Sequence, residues 1–139
     1  MRIYKLFIYM IMCFCIFSPC LSQNIIITVT GIEEIKGNIN IGLYNSHKTF
    51  MRVPFISCSE KVRGKTVVLQ FDTIVPDGKY AVSVYHDINL NGKLDTGLFG
   101  IPLEKYGFSN NVKGFAGAPS FRSSSFEIKS ERHIIINIH

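Results

Sequence analysis

With 139 residues, 47% hydrophobic and 18% charged, the chain is long enough for one domain with a hydrophobic core and too short for two. Fifteen basic residues against ten acidic ones give +5, but without Arg2 and Lys5 at the extreme N-terminus 13 oppose 10, a net of +3 with no basic stripe to mark a nucleic-acid partner. Three of the four cysteines, Cys13, Cys15 and Cys20, fall in the same N-terminal stretch, so Cys58 stands alone in the rest of the chain and no internal disulfide is expected there.

Arg2 and Lys5 precede an apolar run of 12 residues, 6–17, which Ser18, Pro19, Cys20, Leu21 and Ser22 follow. This is the layout of a secretory signal peptide over residues 1–22, cleaved after Ser22 to leave a domain of residues 23–139. A helix that crosses a membrane needs roughly 20 apolar residues, and no second candidate run follows. The expectation is therefore an exported protein, periplasmic or extracellular, with no transmembrane helix in its mature part. An uncleaved anchor and a lipid-modified Cys20 are the alternatives.

Beyond residue 24 the apolar residues recur at the two-residue period of strands. Residues 25–30 are rich in β-branched side chains and stop at Gly31. In 37–44, Ile39, Ile41 and Leu43 alternate with Asn38, Asn40 and Gly42, and in 65–71, Val67, Leu69 and Phe71 alternate with Thr66, Val68 and Gln70. Pro76, Asp77 and Gly78 form a turn leading into 79–86, where Tyr80, Val82 and Val84 share a face. Segments 126–129 and 133–139 complete the set, the last with Ile134, Ile136 and Ile138 inward. About seven short strands without a helical stripe predict an all-β fold, a single small sandwich of immunoglobulin-like or transthyretin-like kind. The exception is the glycine-rich stretch 87–125, an irregular loop region of the length that usually serves function.

That region opens with a candidate cation loop. Asp87, Asn89 and Asn91 offer side-chain oxygens at every second position, Gly92 allows a sharp turn, Lys93 offers its carbonyl and Asp95 a second carboxylate. Oxygen ligands at this spacing curl around a hard ion such as calcium. The twelfth position is Leu98 rather than a bidentate Glu, and a strand precedes the loop, so it is no EF-hand. Two carboxylates predict weak affinity, unless a residue such as Glu104 adds a third. The competing reading is a set of Asx-turns that ties the loop together without metal.

Downstream, aromatics alternate with glycines: Phe99, Tyr106 and Phe108, then Phe115 and Phe121, with Asn110 between. Tyr106, Phe108, Asn110, Phe115 and Phe121 are candidates for a binding surface toward a protein or glycan of the cell envelope, or else for anchors that pin the loop to the sandwich. A catalytic alternative, a secreted hydrolase built on His86, Asp87 and Asp95, is disfavoured because consecutive strand residues such as His86 and Asp87 point to opposite faces. Cys58 reads as a half-buried structural thiol.

The segments HDINLNGKLD, GIPLEKYGFSNN and FAGAPSF, in that order, closely resemble the bacterial family known as domain of unknown function 2141, small exported proteins. The resemblance spans essentially the whole mature chain. It implies that the Asp/Asn/Gly loop and the segment 106–111 form one recurring module, with the family pattern falling on Asp87, Asn89, Asn91, Gly92, Asp95, Gly100, Pro102, Tyr106, Gly107, Phe108, Ser109 and Asn110. Lys105 departs from that pattern, where glycine is common. No activity or catalytic residue carries over. PDGKYAVSVYHD is also similar to the Pro-Gly-x-Tyr hairpin of transthyretin-like and carboxypeptidase-regulatory-like sandwiches, an analogy of fold alone. The sequence thus leads to an exported non-catalytic module with a candidate calcium loop, or to a purely structural envelope module with no ligand.

Overall fold

The computed structural model describes residues 24–71 and 75–139, so the expected signal peptide and its three cysteines lie outside the described residues. Among the described residues, eight strands and almost no helix make up an all-β, two-sheet sandwich. One sheet has the order β4 (Val67–Phe71), β1 (Ile25–Thr30), β8 (Arg132–Asn137); β1 runs antiparallel to β4 and parallel to β8. The other has β3 (Ile56–Lys61), β2 (Asn38–Tyr44) and β5 (Gly78–Asp87) in antiparallel order. Along the free edge of β5 lie two short strands in succession, β7 (Phe126–Ile128) against its start and β6 (Tyr106–Phe108) against its middle.

Alternation decides which faces meet. Ile25, Ile27 and Val29 of β1, Ile39, Ile41 and Leu43 of β2, and Val82 and Val84 of β5 are buried between the sheets with Ile136 and Ile138. Each fully buried aliphatic side chain of this kind contributes roughly 1.5–3 kcal/mol, so a one-residue register slip in β1 or β2 would forfeit several at once. At one edge the sheets are joined by backbone bonds between Tyr106 and His139, His139 N–H to Tyr106 O at 3.1 Å and Tyr106 N–H to His139 O at 3.4 Å. β6 is thereby held to both sheets.

The irregular region is more ordered than its sequence implies. Besides β6 it contains one turn of helix, α1 (Phe121–Ser124), whose Ser120 hydroxyl accepts the Ser123 N–H at 3.1 Å. Neither has a detectable period, because three or four residues are too few to display one. β3 also escapes the pattern: its inward positions, Ile56, Cys58 and Glu60, are only partly buried and one is charged, while Ser57, Ser59 and Lys61 face solvent on an edge strand.

Candidate functional site

Strand β5 ends at Asp87, and its alternation sets the chemistry of the loop that follows. His86 shares the core face of Tyr80, Val82 and Val84 and is buried; its Nε2 lies 2.8 Å from Lys36 O, which makes that nitrogen the donor. Asp87 turns to the other face and is 2% exposed. Its Oδ1 accepts the Asn91 N–H at 3.1 Å, and its Oδ2 accepts the Gly92 N–H at 2.8 Å and the Asn40 Nδ2 at 3.2 Å. A carboxylate buried so deeply is tolerated because three N–H donors bond it. Leu90, at φ +63°, takes the left-handed conformation just before the Asn91 and Gly92 N–H groups and turns the chain back onto Asp87, and Gly92, at φ +76°, turns it again beyond them. Gly37 is required from the far side, since a Cβ there would stand 2.1 Å from Asp87 O.

The remaining polar groups of the loop converge. Asn89 Oδ1 accepts the Asn91 N–H at 3.1 Å and Asn91 Oδ1 accepts the Lys93 N–H at 2.8 Å, two successive Asx-turns. The amide nitrogens of Asn89 and Asn91 both donate to Asp95, at 2.6 and 2.8 Å. Glu104, buried, spans the base of the loop by accepting Ile88 N–H at 2.9 Å and Asp95 N–H at 3.0 Å. Tyr85 donates its hydroxyl to Gly92 O at 2.9 Å, and burial pushes its phenol above the ordinary range against the opposing pull of the Asn40 hydrogen bond. Asn40 and Tyr85 were not legible as partners of the loop, because both lie in strands whose pairing is needed to bring them there.

The predicted donors Asp87, Asn89, Asn91, Lys93 and Asp95 thus belong to one closed loop of nine residues. Among the described residues no three His, Cys, Asp or Glu side chains cluster as a metal site, so any cation would depend on amide and carbonyl oxygens as well as on Asp87 and Asp95. The donor set fits a hard dication in kind: it is all oxygen, with two carboxylates to balance the charge. His86 is not brought to it. Among the described residues no hydrogen bond joins His86 to Asp87 or Asp95.

The predicted surface residues divide. Phe108 is buried and Tyr106 partly so, their rings 5.9 Å apart, with Tyr106 also 5.3 Å from the His139 ring. Phe121 packs edge-on against Phe50 at 5.8 Å. Asn110 spends its amide nitrogen on Ser123 O and Ser125 O, both at 3.0 Å. Its neighbours act likewise: the wholly buried Ser109 hydroxyl accepts Val82 N–H at 2.9 Å and bonds Ser124 O, filling the gap between β6 and β7 on the β5 edge. Asn111 accepts Asn137 N–H at 2.8 Å and donates to Ile135 O. Asn110 and Asn111 have φ of +62° and +51°, a conformation Asn tolerates better than other side chains. Phe115 alone of the five is fully open to solvent.

The family model described as "Uncharacterized protein conserved in bacteria (DUF2141)" matches residues 27–136. The chain belongs to the DUF2141 family. The match takes in both the loop and the Ser109 to Asn111 clamp, as the resemblance of the three sequence segments led one to expect. No curated protein and no solved structure matches the chain. Among the described residues no helix is long and apolar enough to cross a membrane.

Proposed function

We propose that this member of the DUF2141 family is an exported, non-catalytic sandwich module whose loop 87–95 takes up calcium. Calcium uptake stiffens the segment that the module presents at its surface. One observation carries the reading: the Asp87 carboxylate gathers the N–H groups of the fifth and sixth loop positions, curling the chain so that Asn89, Asn91 and Asp95 meet. Asp87, Asn89, Asn91 and Asp95 would hold the ion through side-chain oxygens and Lys93 through its carbonyl. The ion would supply positive charge to Asp95, where the Asn89 and Asn91 amide nitrogens compete with it.

Calorimetric titration of the protein with calcium, and with magnesium as control, tests this. Calcium binding with a Kd of about 10⁻⁴ to 10⁻³ M, lost in Asp95→Asn, is the expected result. No heat at millimolar calcium would leave the second reading, a ligand-free structural loop, which the two Asx-turns and the three N–H donors to Asp87 favour. Export is tested separately, by mass spectrometry of the protein from periplasm or medium, where a chain starting at Gln23 is expected.

A further inference from the structure

Six of the twelve large apolar side chains that stand exposed among the described residues belong to the single segment 87–125: Leu90, Leu98, Phe99, Ile101, Leu103 and Phe115. Phe99 and Phe115 are 99% and 107% exposed, as open as in an extended chain. They come from two loops that share the walls of a cleft of about 440 Å³, together with Met51, Leu94, Ile101 and Ala116. Clustered exposure of this kind marks an interaction surface rather than scattered surface apolar residues.

Charge defines the partner. Arg52, Lys93 and Lys113 are exposed and directly precede or follow the lining residues Met51, Leu94 and Gly114. Among the described residues none of the three is paired with a carboxylate. The acidic groups of the same region are turned away: Asp95 toward Asn89 and Asn91, Glu104 onto backbone N–H groups. Apolar residues thus line the cleft, and three exposed cations without a carboxylate partner are their immediate neighbours along the chain.

We propose that this region docks on an anionic lipid surface, with Phe99 and Phe115 entering the interface and Lys93, Lys113 and Arg52 meeting the headgroups. A lipid surface suits the geometry better than the protein or glycan expected from the sequence. A groove that grips a peptide or sugar shields its rings on their flanks, whereas rings open on every side suit a medium that surrounds them.

Co-sedimentation of the protein with vesicles of equimolar phosphatidylglycerol and phosphatidylcholine, in chelator, tests this separately from the calcium reading. Binding is expected to fall on going to phosphatidylcholine alone and as salt rises from about 0.1 M to about 0.5 M, where the Debye length shrinks about twofold. The double variant Phe99→Ser, Phe115→Ser should lose at least about tenfold in binding while keeping its unfolding midpoint, since neither ring is packed. Equal binding by wild type and variant would overturn the proposal. So would no binding to anionic vesicles, or a dimer of the free protein that the same two substitutions dissolve.

Discussion

The body of the sandwich and the segment 87–125 are held together by different forces. In the body, Ile, Val and Leu on alternating positions of β1, β2, β5 and β8 are removed from water, and the backbone bonds to itself in ladders. In the segment, side chains replace both: Asp87, Asn91, Glu104, Ser109, Asn110 and Asn111 bond the backbone groups that no ladder satisfies, and its large apolar side chains mostly face outward. Burial is additive and tolerant of small errors in position. A hydrogen-bonded loop depends on each partner, because removing one leaves the other desolvated and unpaired.

Substitutions separate the two. Ile39→Ala or Leu43→Ala, at wholly buried positions of β2, should cost about 2–5 kcal/mol in denaturant unfolding, the largest effect expected. Asp87→Ala strands the Gly92 N–H, leaves the Asn91 N–H to Asn89 Oδ1 alone and takes an acceptor from the Asn40 amide; it should cost about 1–3 kcal/mol while raising amide exchange at residue 92 more than in β1. A loss as large in β1 as in the loop would contradict the division. Ser109→Ala should cost about 1–3 kcal/mol and expose the Val82 amide to exchange.

Smaller still is a pH effect. Burial, with Glu60 adding to it, pushes the Cys58 thiol up to about 11. A thiol raised from its unfolded value of roughly 8.5 favours the folded state fully below that pH, and the contribution is lost as pH rises through about 11. Cys58→Ser should therefore flatten the stability decline between about pH 8.5 and 11, and Cys58 should alkylate slowly at neutral pH. An unaltered decline in the variant would contradict the assignment.

How much of this was legible follows the same line. Strands β1, β2, β4 and β5 declare themselves because each buries three or more alternating apolar side chains, and β8 because Ile134 and Ile136 continue at the same period to Ile138 just beyond it. β3 and β6 owe their form to neighbours, β3 to the edge of β2 and β6 to β5 and the Tyr106 to His139 pairing, which no local pattern encodes. Within the loop, spacing and Gly92 identified the members of the ring. That Asn40 and Tyr85 reach it depends on the β2 to β5 register, which places Asn40 opposite Tyr85. In sequence, Tyr106, Phe108, Asn110 and Phe121 are indistinguishable from Phe115, because an aromatic or amide in a glycine-rich stretch looks the same whether it packs or protrudes. Only the tertiary fold separates them.

Thermal unfolding of the protein, first in chelator and then across millimolar calcium, tests the central claim most directly. A ligand that binds only the folded state stabilises it by about 2.7 kcal/mol at a hundredfold excess over Kd. The midpoint is expected to rise in calcium, to stay unchanged in magnesium, and to lose its calcium response in Asp95→Asn. A midpoint that calcium does not move, or moves equally in Asp95→Asn, would contradict it.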